Sequence, residues 1–389
     1  MNGLNTNSNG LHRTIMVLII FLCVTLFDWN GYGYYVFYLP FLYLLFKGGL
    51  NQIDSNFKLL FLFGLSYSVI DFINTGRIVY VYNILPVFNF PMAYLMGKMI
   101  ADNKSLDGQV SILWIFAMSM AFLTMLSTYV SFLKDGFALV GRDIKLIGYS
   151  NEDGEILYSA TGLYSKLLPL TLFASFLFLP IYKKNRWLFF TSACVAFFCC
   201  LRLQSRSAIY VTMISLVIPF LLGEKDSRIN KIFGAAFIGG IVIYILANFS
   251  DELMIIDRFQ NNSVFENEGG DSRMDLAIKT LNDLLSHPFG GLASNRFAHN
   301  LWIDSARVGG WIPAFFLIGV TWKWIKTTFK IYRNKKMEEY YRIFIVVVSV
   351  CLFMYFNTEP IMEGAAMLFT FFCLYFGIIT KSLSNYQSI

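Results

Sequence analysis

The sequence predicts an all-α, polytopic integral membrane protein with about twelve transmembrane helices, and three observations carry that prediction. The 389 residues are 56% hydrophobic and 14% charged, against roughly 45–50% and 25% for an ordinary soluble domain. Apolar runs of membrane-spanning length recur along the chain, with Lys and Arg gathered in short clusters between them. The 40 Phe and the 18% aromatic fraction leave too little charge to cover a surface facing water. A formal net charge of +6 is small for this length and is not concentrated in one basic patch, which excludes a disordered or nucleic-acid-binding chain.

A helix that crosses about 30 Å of hydrocarbon at 1.5 Å per residue needs roughly 20 apolar residues. The runs that qualify lie near residues 14–30, 33–47, 57–73, 78–97, 110–133, 161–181, 187–203, 207–223, 232–249, 301–322, 343–358 and 364–380. The first follows the polar segment Met1–Arg13 and reads as a retained span, because no small-residue cleavage pattern stands behind it. Residues 187–222 as one helix would be 36 residues long, about 54 Å, and too long for the bilayer. A tight hairpin at Leu203–Ser207 is expected instead. Cys23, Cys194, Cys199, Cys200, Cys351 and Cys373 lie within apolar runs and form no Cys-x-x-Cys pair, so neither a disulfide framework nor a zinc site is expected.

An even number of spans puts both termini on one side, and cytoplasmic segments carry the excess of Lys and Arg. With the termini inside, 19 of the 31 basic residues fall in inner segments, so both ends are expected to be cytoplasmic. The whole chain, 1–389, then reads as a single membrane domain. Of the remaining twelve basic residues eight are Arg: Arg77, Arg142, Arg202, Arg206, Arg258, Arg273, Arg296 and Arg307. Arg is the planar fork that binds phosphate or carboxylate in two places at once. As a set these residues suggest an outward-facing anion site, although any one of them can simply pair with an acid of its own loop.

Two outer segments are longer than turns. Residues 134–160 form a Gly-rich polar loop. Residues 250–300, the long loop before the tenth helix, contain an amphipathic stretch at Asp271–Leu285. There Met274, Ile278, Leu281 and Leu285 recur at helical spacing while Arg273, Asp275 and Asp283 face elsewhere. Asp271 or Ser272 can cap that helix, and His287-Pro288 ends it.

Three constellations can carry chemistry. In Arg202-Leu203-Gln204-Ser205-Arg206-Ser207 the two arginines are one turn apart if the helix persists, and they repel unless an anion sits between them. Ser205 or Ser207 can cap the eighth span, whose N-terminal amides also attract anions. The alternative is that the pair snorkels to lipid headgroups. Where the long loop re-enters the membrane, His299, Ile303 and Arg307 share a helical face, with Asn300 and Asp304 nearby. Gly309-Gly310 beside them permits close packing of a neighbouring helix. An imidazole beside an Arg can take a proton from a sugar hydroxyl or bind a phosphate. The alternatives are a structural Asp304–Arg307 ion pair and an interfacial His299 satisfied by water. Finally, Asn357-Thr358-Glu359-Pro360-Ile361-Met362-Glu363 forms the last outer turn, where Glu359 or Glu363 can act as base or balance charge.

Together the Ser-Arg-Ser turn, the late loop with Arg273 and His287-Pro288-Phe289-Gly290-Gly291, and His299-Asn300 followed by Gly309-Gly310 resemble the O-antigen polymerase and O-antigen ligase superfamily. The resemblance covers roughly residues 200–380. It departs from the family in having no aromatic residue shortly after Arg273 and adjacent glycines in place of Gly-x-Gly. It implies a membrane glycosyltransferase of the bacterial inner membrane whose site faces the periplasm and whose donor is a glycan on undecaprenyl diphosphate. No nucleotide sugar, cofactor or metal is implied. By position Arg206, Arg273 and His299 are its catalytic residues, and Arg202, Arg307, Asn300, Asp304 and Glu363 are assigned to substrate binding. The implied partners are the lipid-linked oligosaccharide, the lipid bilayer and a chain-length regulator, with no nucleic acid.

The first expectation is therefore a polymerase, which transfers the growing chain to a second lipid-linked repeat unit. The alternatives are a ligase, with lipid A–core as acceptor, and a transporter or flippase for an anionic glycolipid. A carrier usually places ionisable groups or broken helices near the membrane midplane and often shows repeat symmetry.

Overall fold

The computed structural model describes residues 49–78, 83–136, 144–145, 157–158, 160–179, 185–203, 205–223, 273–292 and 296–387. The expected spans at 14–30, 33–47 and 232–249 lie outside them. The described part is an α-helical bundle, and four of its helices are long and apolar enough to cross a membrane: Ser55–Thr75, Leu106–Lys134, Glu339–Phe356 and Ala366–Gln387.

In chain order α1 runs over Ser55–Thr75, α2 over Leu85–Asn103 and α3 over Leu106–Asp135. Asp54 caps α1 by accepting the amides of Asn56 and Phe57, and Gly76, in the left-handed region, closes it. Of the span expected at 78–97, residues 79–82 lie outside the described residues, and α2 holds Pro86 in its first turn, where a missing amide hydrogen costs nothing, and Pro91 in its interior. Ser105 caps α3. Two short strands in the following loop, β1 (Ile144–Lys145) and β2 (Leu157–Tyr158), pair antiparallel. Helix α4, Ala160–Thr171, tightens into a 3₁₀ turn over Leu172–Leu177. Helices α5 (Arg186–Arg202) and α6 (Arg206–Leu222) form the expected hairpin, with the amide of Leu203 bonded back to Cys199 and Ser205 capping α6.

Helix α7 covers Arg273–Ser286, α8 Leu301–Gly309, α9 Trp311–Arg333, α10 Glu339–Phe356, the four-residue α11 Ile361–Gly364, and α12 Ala366–Gln387. The apolar run at 301–322 is thus not one helix. Gly310 breaks it with φ 74° and ψ −169°, a conformation open to glycine alone. The Pro288-Phe289-Gly290 turn fills the break, since Trp311 donates its amide to the Pro288 carbonyl at 3.1 Å. A Cβ on Gly310 would lie 2.5 Å from that carbonyl oxygen, and one on Gly290 would lie 2.4 Å from the Val308 carbonyl oxygen. The long helix α9 consequently starts ten residues later than the hydropathy run and carries its basic tail as far as Arg333.

Packing is densest where α2 meets α12. Gly97 and Gly377 face each other there, so the backbones approach as closely as small residues allow in membrane bundles. An aromatic cluster of Phe90, Phe356, Phe369, Phe372 and Trp324 continues this core between α2, α9, α10 and α12.

Candidate functional site

Three polar turns meet at the end of the bundle that holds the α5–α6 hairpin, the start of α8 and the α10–α11 turn. The Asn357–Glu359 turn joins the other two. Ser207, in the first turn of α6, donates its hydroxyl to Glu359 Oε1 at 2.9 Å, and Tyr164 of α4 donates to the same oxygen at 3.3 Å. Glu359 is only 1% exposed. Two residues earlier, Asn357 Oδ1 accepts from Asn300 Nδ2 at 3.1 Å. A hydrogen-bonded strip therefore runs from the N-terminus of α6 to the N-terminus of α8. Each of those helices directs its first amides toward this end, a setting that favours anions.

The start of α8 is shaped by Asp304. Its Oδ1 accepts the amide of Ala298 at 2.8 Å and its Oδ2 accepts the amide of Asn300 at 3.0 Å. The residues on both sides of His299 are thereby clamped, and His299 sits at φ 54°. Among the described residues only Asn185 shares a positive φ without being glycine. Such a backbone costs about 1 kcal/mol or more in an L-residue and concentrates at functional sites. Asn300 caps α8 through the amides of Trp302 and Ile303.

Arg307 completes the clamp. Its Nε lies 3.4 Å from Asp304 Oδ1, with both side chains sealed from solvent. Its Nη1 donates to the Leu292 carbonyl at 2.9 Å, and the guanidinium lies 5.1 Å from the centre of the Phe297 ring. In turn the amides of Gly291 and Leu292 bond to the last carbonyls of α8, those of Val308 and Arg307. Asp304 and Arg307 thus form a positioning pair that fastens Gly291 and Leu292 on one side and residues 297–300 on the other.

The other sequence-predicted residues divide as follows. Arg202, 1% exposed at the end of α5, donates Nη2 to Ser131 of α3 at 3.1 Å. Arg206 opens α6 between Ser205, whose hydroxyl accepts the amide of Ala208, and Ser207, which meets Glu359. Arg273 opens α7, and Glu363 lies in α11. The side chains of Arg206, Arg273 and Glu363 lie outside the described residues. The structure brings the backbone of Arg206, His299, Asn300 and Glu359 to one end of the bundle. It also adds residues that sequence reasoning missed, namely Tyr164 and Asp71, and gives Asn357 of the last outer turn a partner in Asn300. Asp71 is buried near the same end of α1 and accepts from Asn83 at 3.1 Å. A lone carboxylate within the apolar run at 57–73 is the signal that could have found it, since intramembrane acids mark function or a specific partner.

The α7 stripe reads differently in three dimensions. Leu276, Thr280 and Leu284 are buried, whereas Met274, Ile278, Leu281 and Leu285 are exposed, the last at 77%. The helix docks by Leu284 against Ala306 and Ala314, and its most apolar face points away from the protein.

Fold and composition define an α-helical, membrane-embedded protein with a buried polar network at one end of the bundle. No protein-family model matches the chain, and no curated protein matches it in sequence.

Proposed function

We propose that the protein is a polysaccharide polymerase of the bacterial inner membrane. On this reading the chain crosses the membrane twelve times with both termini cytoplasmic, and the polar end of the bundle faces the periplasm. A growing glycan leaves its undecaprenyl diphosphate and joins the sugar hydroxyl of a second lipid-linked repeat unit. Arg206 and Arg273 neutralise the departing diphosphate where its charge develops, and His299 takes the proton of the acceptor hydroxyl. The amide-rich start of α6 adds to the binding of the diphosphate. A chain-length regulator is the protein partner this reading expects.

The observation that carries the proposal is the clamp on His299. A titratable side chain is held in a costly backbone conformation by a sealed Asp–Arg pair, beside an Asn that bonds across to the turn engaging Ser207. Glycine would take φ 54° without that cost.

The test is a gel of the surface glycan from a deletion strain and its complemented derivative. Collapse of the ladder to core plus a single repeat is expected on deletion. Loss of every repeat from the core, with long chains left on the carrier, would move the reading to the ligase, and an unchanged ladder would overturn both. Arg206→Ala should fail to complement. Arg206→Lys should fail as well if the contact to the diphosphate is bidentate.

A further inference from the structure

At the opposite end of the bundle, between the last turns of α9 and the end of α12, lies an open cleft of about 560 Å³. Lys326, Lys330, Arg333 and Lys336 line it together with Phe329, Asn334, Leu383, Tyr386 and Gln387. Among the described residues four cations and no carboxylate face this space. Among the described residues none of the four forms an ion pair, whereas nearby Lys381 is neutralised by Asp102 at 3.1 Å. Lys326, Lys330 and Arg333 stand at i, i+4 and i+7 of one helix, so they share a face and repel one another. That arrangement is relieved by an anion bound between them.

The walls say what kind of anion. Phe329 carries the Arg333 guanidinium over its ring at 4.1 Å, and Leu383 and Tyr386 close the other side. Above Phe329 the same helix exposes Ile325, Trp322, Ile318 and Phe315, spaced at threes and fours. This exposed apolar stripe runs along α9 and leads directly into the basic cleft. A free phosphate would use the cations and leave the stripe idle. A phospholipid uses both, with its acyl chains along the stripe and its phosphate among the basic residues.

We propose that this cleft binds the headgroup of an anionic phospholipid in the leaflet at the basic end of the bundle. The site is separate from the polar end and does not depend on the polymerase reading.

The test uses the full-length protein purified in a neutral detergent and titrated with phosphatidylglycerol, phosphatidylcholine or inorganic phosphate. Bound lipid is counted by native mass spectrometry, and the unfolding midpoint is followed in parallel. Wild-type protein should retain phosphatidylglycerol preferentially and gain thermal stability from it. Lys330→Gln/Arg333→Gln should bind it about tenfold more weakly or worse. The control Lys58→Gln/Lys104→Gln removes the same charge outside the cleft and should bind like wild type. Should the first variant misfold, Lys326→Gln/Lys336→Gln probes the same cleft. Equal retention of the zwitterionic lipid, equal losses in cleft and control variants, or the same stabilisation from inorganic phosphate alone would each overturn the proposal. All of these readouts are blind to glycan synthesis, so failure here and failure of the polymerase reading are distinguishable.

Discussion

His299 concentrates the argument at the scale of single residues. Its left-handed backbone is held because Asp304 takes the amides on either side, and Arg307 holds Asp304. Replacing His299 by glycine removes the backbone cost along with the imidazole. His299→Gly should therefore leave thermal stability unchanged or raise it by up to about 1 kcal/mol, while abolishing complementation of the glycan ladder. His299→Ala should lose complementation without that gain. A His299→Gly protein that elongates glycan normally would remove the imidazole from the mechanism. A second residue-scale prediction concerns pH. Burial raises the Asp54 carboxyl, but hydrogen bonds from Lys98, the Phe57 amide and Tyr94, with the Lys98 charge, outweigh it and hold the pKa below the ordinary 3.8. A depressed carboxylate contributes its full stability above its unfolded value and loses it as pH falls through the folded one. The tie between α1 and α2 should therefore weaken only below about pH 4, and Asp54→Asn should flatten that acid limb in thermal unfolding.

Between elements, the contact of α2 with α12 makes the sharpest prediction. A methyl group on Gly377 would lie 1.9 Å from the Tyr94 carbonyl oxygen, and one on Gly97 would lie 2.0 Å from that of Leu374. Backbone cannot retreat as a flexible side chain can, so Gly377→Ala should cost roughly 1–3 kcal/mol. Gly319→Ala is the contrast, because the nearest atom there is Leu59 Cδ1 at 3.7 Å. It should be neutral or stabilising by up to about 1 kcal/mol, by helix propensity. Unfolding midpoints of the two purified variants decide between them. These elements also mark what a sequence can carry. The α5–α6 hairpin was legible because one 36-residue helix does not fit a bilayer, and α7 because its apolar residues keep a helical period. The break at Gly310 was not, since the apolar run continues through it and only the backbone of the Pro288–Gly290 turn explains it. The partners in the site were hidden for a related reason. Ser207 and Glu359 are 152 residues apart, and Asn300 and Asn357 are 57 apart, distances over which no local pattern extends. The period of the α7 stripe predicts the helix but does not tell the docked face from the exposed one.

For the molecule as a whole, the two ends of α9 define an axis that fixes orientation. At one end Gly310 abuts the exposed Phe289 turn and the His299 clamp, and at the other the helix closes on Lys330 and Arg333, with Lys335 and Lys336 just beyond. Cytoplasmic segments hold the excess of lysine because moving such charges across the membrane during insertion is unfavourable. The lysine-rich end should then be cytoplasmic and the Asn300–Asn357 end periplasmic, which the polymerase reading requires, since its lipid-linked substrates react outside. The chain's own cysteines sit in apolar runs, and Cys199, Cys200, Cys351 and Cys373 are buried, so replacing all six by serine or alanine gives a clean background. Phe289→Cys and Lys335→Cys introduce thiols at exposed positions on opposite ends of α9. A membrane-impermeant maleimide applied to cells with a permeabilised outer membrane should label Phe289→Cys at once. Lys335→Cys should react only after the inner membrane is opened. The reverse pattern would invert the protein and put the His299 clamp on the wrong side for any lipid-linked glycan, ending the polymerase and ligase readings together while leaving the basic cleft as a lipid site in the other leaflet.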